Sequence, residues 1–201
     1  MNKNIESCNY YLNTAKYELT KCMNEMDLEA IEAAANLIIE AQKNGNRLHI
    51  SGIGKPGHIA GYISSLISST GTPTYFLHGT EAVHGSCGQL RVGDIVIFIS
   101  NSGETSEMKS TVLAIKNNGC KIIGVSGNSE SWLAKESEVH LFAGVTEEGG
   151  PLNRAPRLSI VAETLVLQTL SVYLQRNADI TPQDYVRCHP GGALGQLREG
   201  E

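Results

Sequence analysis

From Arg47 to Phe142 the chain alternates short apolar, β-branched runs with helical stretches, and few architectures accept that order. The runs are Arg47–Ile53, Thr74–Leu77, Asp94–Ser100, Lys121–Ser126 and Val139–Phe142. Helical patterns lie between most of them, near Ile59–Ser69, Thr105–Asn118 and Ser131–Glu136. The runs are almost continuously apolar, so both faces of each strand must be covered. A five-stranded parallel α/β sheet sandwiched by helices satisfies that requirement. Upstream, the first ~45 residues read as two helices. Leu12, Ala15, Leu19, Cys22 and Met26 form one stripe, and Ile31, Ala34, Ala35 and Ile38 the other. Asn44-Gly45-Asn46 stops the second helix. Downstream, a long helix over about Arg154–Gln175 is apolar around much of its circumference (Leu158, Val161, Leu165, Leu167, Leu170, Val172), which predicts burial, in part by another subunit. With no internal repeat, low-complexity tract or linker, residues 1–201 read as one domain.

Net charge is −5 and the basic residues are scattered, so nothing in the chain forms an electrostatic footprint for nucleic acid. The cysteines at 8, 22, 87, 120 and 188 are odd in number and dispersed, which implies free thiols in a reducing cytoplasm. Met1–Tyr11 lacks the apolar centre of a signal peptide, and no continuous apolar run reaches membrane-spanning length.

Ligands of open α/β sheets bind outside the carboxyl ends of the strands. After the run ending at Ile99 comes Ser100-Asn101-Ser102-Gly103-Glu104-Thr105-Ser106-Glu107, leading into a helix. One hydroxyl would cap that helix; four around a glycine exceed what a cap needs. Together with free N–H groups at a helix N-terminus, they make an anion cradle. This segment resembles the phosphosugar loop of the sugar isomerase (SIS) domain, a doubly wound parallel sheet. The resemblance implies that Ser100, Ser102 and Thr105 bind a substrate phosphate.

Four further segments accompany the loop: Gly52-Ile53-Gly54-Lys55, Glu81-Ala82-Val83-His84-Gly85, Glu148-Gly149-Gly150-Pro151-Leu152 and His189-Pro190-Gly191-Gly192-Ala193-Leu194-Gly195. The Gly-x-Gly turn has no acidic residue downstream to complete a dinucleotide fingerprint, so a nicotinamide or flavin site is not expected. In order and spacing the set is similar to arabinose-5-phosphate isomerases, in their short form without CBS modules. Those enzymes interconvert D-ribulose 5-phosphate and D-arabinose 5-phosphate, a precursor of the sugar Kdo. Three departures stand out: Pro56 after the turn lysine, Gly85-Ser86-Cys87 after the histidine, and Arg157-Leu158 where the family carries hydroxyls.

Moving a carbonyl between neighbouring carbons requires a base, an acid or proton shuttle, and a group that holds enediol charge. It requires no metal or organic cofactor, and none is expected. The resemblance assigns these roles among Lys55, Glu107, Glu148 and His189, with His84 as a further candidate. Which of the carboxylates and histidines is the base stays open; of the adjacent Glu147 and Glu148, the latter is preferred because it stands three residues before Pro151. His49, His58, His78 and His140 read as structural. The family is tetrameric, which implies a homotetramer with sites shared between subunits. Two other readings are a different phosphosugar isomerase, acting on a hexulose or heptulose phosphate, and a non-catalytic sugar-phosphate sensor.

Overall fold

The computed structural model of the protein describes residues 2–201. Two helices, α1 (Lys3–Asn24) and α2 (Leu28–Lys43), precede the alternating region. There β1 (Leu48–Gly52), α3 (Lys55–Ser69), β2 (Thr74–His78), α4 (Gly79–Ala82) and β3 (Ile95–Ile99) follow in turn. Next come α5 (Ser106–Asn117), β4 (Lys121–Ser126), α6 (Trp132–Glu136) and β5 (Val139–Phe142), then α7 (Leu158–Ala178) and α8 (Pro182–Cys188). All five strands are parallel, in the order β2-β1-β3-β4-β5. The chain winds outward from β1 to β2, then crosses back to β3 and continues the other way, which is the doubly wound topology expected.

Side chains of β3 divide with the period of two that a pleated strand imposes. Ile95, Ile97 and Ile99 face one core with α2, α3 and α7, while Val96 and Phe98 face the other with Met108, Val112 and Ile115 of α5. β1 and β3 are buried along their whole length, as their apolar runs require.

Asp94, fully buried just before β3, ties the amino ends of the two central strands together. Its carboxylate accepts from the Arg47 amide (2.9 Å), the Arg91 amide (2.9 Å), the Arg47 guanidinium (2.9 Å) and His49 Nε2 (3.2 Å). Burial alone would raise the Asp94 pKa, but the hydrogen bonds from Arg47 and Arg91 outweigh it and hold the carboxyl below its usual range. Burial pushes His49 down despite Asp94, so the imidazole is a neutral partner.

Several elements differ from the sequence expectation, and the short α4 between β2 and β3 lies outside it. The long helix starts at Leu158 rather than near Arg154, because Ala155 precedes a proline and is steered out of helical geometry. It runs three residues further, to Ala178, and ends at Asp179 in the left-handed conformation. Its buried stripe is Leu158, Ser159, Ala162, Glu163, Val166, Leu167, Leu170, Ser171 and Leu174, so Val161, Leu165 and Val172 lie on the outer side. By length and composition α7 is also apolar enough to cross a membrane, yet that stripe packs on α1, α2 and α3. The helix α8 lies outside the elements expected, although Thr181, Pro182 and Asp184 supply a capping box with proline in the first turn. In α1 the expected stripe is only partly covered, with Leu12 61% exposed, and the buried residue is Glu18, whose carboxylate accepts from Thr146.

Replacing Asp94 by alanine strands the buried donors of Arg47 and Arg91 and is expected to cost about 3–5 kcal/mol. Urea unfolding would read this as a lower midpoint at unchanged slope. The Asp94 contribution is present above the ordinary value of 3.8 and fades as pH falls through the lower native value. A loss below about 1 kcal/mol, the worth of one ordinary hydrogen bond, would show that the central pairing stands without Asp94.

Candidate active site

The reversal of winding falls between β1 and β3, and there the crevice of a doubly wound sheet opens. Gly52 ends β1 directly opposite Ile99 at the end of β3, so the two following loops face each other. The β1–α3 turn is tight: a Cβ on Gly52 would stand 2.8 Å from the Pro56 backbone, leaving only glycine room. Between the loops lies a cleft of about 310 Å³. Its lining includes Ile53 and Pro56, Ser100, Ser102, Thr105 and Glu107, then Glu148, Arg154, Ser159 and Glu163.

The β3–α5 loop turns sharply, with the Gly103 amide donating to the Ser100 carbonyl (3.0 Å) and its hydroxyl (3.3 Å). Gly103 has φ +62°, and a Cβ there would collide with Ser131. Outside the turn, Glu104 braces the loop by accepting from Lys109 (2.7 Å) and the Trp132 amide (2.7 Å). Thr105 occupies the N-cap of α5, yet its side chain makes no capping hydrogen bond. The first amides of α5 therefore keep their donors, and the positive end of the helix dipole faces the cleft. Ser100, Ser102 and Thr105 all line it, as an anion cradle requires.

Glu107 and Glu148 stand in the same cleft. Glu107, in the first turn of α5, makes no side-chain hydrogen bond or ion pair among the described residues. Glu148 reaches across to α7, where its Oε2 accepts from the amides of Arg157 (2.6 Å), Leu158 (2.7 Å) and Ser159 (3.2 Å). It serves as the cap that Arg157, at the N-cap position, does not supply. Glu147 turns the other way and accepts from the Tyr10 hydroxyl on α1. Glu148 is thus the member of the pair that meets the cleft.

Lys55, His84 and His189 are not among the cleft-lining residues of this chain. Lys55 is exposed at the start of α3, beside Pro56, which does line it. His84 is exposed in the turn after α4. His189 ends α8, its ring stacked on Tyr185 at 4.0 Å and its Nδ1 2.9 Å from the Tyr185 carbonyl. A carbonyl only accepts, so Nδ1 is the donor in this contact and Nε2 takes no part in it. Of the other histidines, His49 pairs with Asp94, His140 with Ser126 (2.8 Å), and His78 caps α4. His58 is a surface residue rather than a structural one. Arg157 lies against Gly150 and outside the cleft; Arg154 is the guanidinium that lines it.

Sequence reasoning missed Ser159 and Glu163. Glu163 is fully buried, and neither of its carboxyl oxygens has a hydrogen-bond partner; the Ser159 hydroxyl is equally unpartnered. The signal was present: Glu163 interrupts a helical stripe that is otherwise small or apolar. Burial, reinforced by the Glu148 charge, pushes its pKa up to about 8. In the unfolded chain the same carboxyl ionises near its ordinary 4.5, so the native state holds an extra proton between these values. Stability from this group is therefore full below about 4.5 and falls as pH rises toward about 8. Glu163→Gln is expected to melt at the wild-type temperature near pH 4.5 and above it at pH 8, as read by calorimetry. Parallel melting curves across that range would show that Glu163 ionises normally in the folded protein.

The profile of the SIS domain matches residues 42–173. The chain is 41% identical over 150 residues to the arabinose 5-phosphate isomerase KdsD of Pseudomonas aeruginosa, covering 75% of this chain and 46% of that protein. It is 38% identical over 178 residues to the arabinose 5-phosphate isomerase KdsD of Francisella tularensis, covering 89% and 54%. It spans about half the length of the curated relatives it matches. Among solved structures, E. coli CFT073 c3406 in complex with arabinose 5-phosphate superposes with a TM-score of 0.83 at 30% identity, over 94% of this chain and 100% of that one. Fold and overall sequence agree, and the chain belongs to the SIS domain family.

Proposed function

We propose that the protein is an aldose–ketose isomerase that interconverts D-ribulose 5-phosphate and D-arabinose 5-phosphate through an enediol. The observation that carries this is one cleft lined by an uncapped, hydroxyl-rich helix N-terminus together with two carboxylates, Glu107 from that helix and Glu148. The similarity to proteins named arabinose 5-phosphate isomerase, and to a structure in complex with that aldose phosphate, supports the choice of sugar. Ser100, Ser102 and Thr105 hold the phosphate. A base takes the C1 proton of the ketose, the C–H electrons form the C1=C2 bond, and the C2 carbonyl oxygen gains a proton. Return of a proton to C2, with loss of the O1 proton, completes the aldose. Glu107, Glu148 and His189 are the proton carriers, with His84 in reserve; Lys55 neutralises charge on the enediolate.

His189 reaches this chemistry from a neighbouring subunit. Glu163 at the cleft and Ala178 at the end of α7 are separated by about 22 Å of helix. The far end packs near Gly71, ahead of the amino end of β2, and α8 continues from there. The outer side of α7, with Val172 66% exposed, is an apolar face suited to self-association. A cytoplasmic homotetramer with shared sites is the assembly consistent with these features, and a one-chain domain of 1–201 its unit.

Turnover of D-arabinose 5-phosphate, followed by ³¹P NMR, tests the activity, with appearance of D-ribulose 5-phosphate unchanged by EDTA as the expected result. No conversion by the folded protein would sink it. Ser102→Ala is expected to raise KM about tenfold, through loss of one hydrogen bond to a charged group. An unchanged KM would remove the loop from the site.

Lys55→Ala and His189→Ala are each expected to be nearly inactive alone. Refolded together in equal amounts, they are expected to recover activity in about a quarter of sites, those that draw the lysine and the histidine from different variants. If subunits exchange and activity stays absent, both groups belong to the same chain.

A further inference from the structure

Three polar atoms on the buried wall of the cleft are left without partners: the Ser159 hydroxyl and both oxygens of Glu163. They sit four residues apart on α7, so they share one face of the helix and point the same way. Unpaired buried polar atoms are rare in folded proteins and destabilise them, and here they lie together beside an anion cradle. No cation pairs with Glu163 among the described residues, and its charged neighbour Glu148 is already held by three amides. A carboxyl so placed is a neutral acid, with one hydroxyl to donate and one oxygen to accept. That pair of functions matches two adjacent hydroxyls of a polyol.

We propose that Ser159 and Glu163 form the sugar-chain half of the binding site, receiving hydroxyls of the ligand whose phosphate the β3–α5 loop holds. This deepens the phosphosugar reading above and rests on it. The ligand supplies partners that the protein withholds from these atoms. A hydrocarbon phosphate of equal length would leave them unpaired, so the subsite selects for a hydroxylated chain.

Calorimetric titration with D-arabinitol 5-phosphate, which has no carbonyl and cannot isomerise, separates this half from the loop; inorganic phosphate is the second probe. Wild type is expected to bind the polyol phosphate more tightly than inorganic phosphate. Glu163→Leu and Ser159→Ala should each lose about tenfold in affinity for the polyol phosphate while binding inorganic phosphate as before. Glu163→Gln, which keeps a donor and an acceptor, should stay within about threefold of wild type and guards against a folding defect in the leucine variant. Ser102→Ala should weaken both probes.

Wild-type affinity of Glu163→Leu or Ser159→Ala for the polyol phosphate would overturn the proposal. So would equal wild-type affinity for the two probes, and the phosphate loop would still stand. If wild type binds neither probe, the phosphosugar reading itself falls, and the subsite with it.

Discussion

The pairing of β1 with β3 is the constraint on which the rest of the molecule depends. Asp94 joins the two strands at their amino ends, accepting from Arg47 on one side and Arg91 on the other. With that end pinned, the parallel register carries Gly52 opposite Ile99 at the other end. The two loops that follow therefore open on a common crevice. Shifting either strand by one residue would turn its core side chains to the opposite layer and separate the loops together.

A second dependence runs through α7. Its first amides are capped by Glu148, so the segment after β5 is fastened to the helix at the point where both enter the cleft. The carboxylate closing that helix end thus also lines the cleft, beside Glu107 and Glu163. Removing it would disturb geometry and chemistry together, and the two losses would be hard to separate by activity alone. The other end of α7 lies about 22 Å from Glu163, and α8 with its histidine follows from there. One rigid element thereby spaces the cleft of a chain from its own His189.

Glu163 is a polar group set into an otherwise small or apolar helix face at a local cost in stability. A leucine in its place would complete the stripe formed by Ala162, Val166, Leu167 and Leu170. The carboxyl instead leaves both oxygens without partners in a buried position, the kind of local cost natural proteins concentrate at functional sites. The Thr105 hydroxyl is comparable: at an N-cap it would normally bond the helix, and here it is left available.

Much of the architecture was legible in the residues themselves. Continuous apolar runs at Ile95–Ile99 and Ile122–Val125 can only be strands covered on both faces, and the hydroxyls around Gly103 exceed what a helix cap uses. Local chemistry and periodicity determine such features, because each depends on neighbours within one turn or one strand. The candidate site was legible where residues follow a strand end, as in Ser100, Ser102, Thr105 and Glu107. The choice of Glu148 over Glu147 was legible from its distance to Pro151, though not that Glu148 caps α7 while Glu147 turns to Tyr10; nor was it legible that Arg154 rather than Arg157 meets the cleft. Nor could the alphabet alone say that Glu163 and Ser159 lack partners. Partnership is a property of what packs against a residue from distant parts of the chain. The sequence by itself therefore determined the strands, the longer helices and the hydroxyl-rich loop after β3; only the tertiary structure decided which side chains share the cleft and which polar atoms in it remain unpaired.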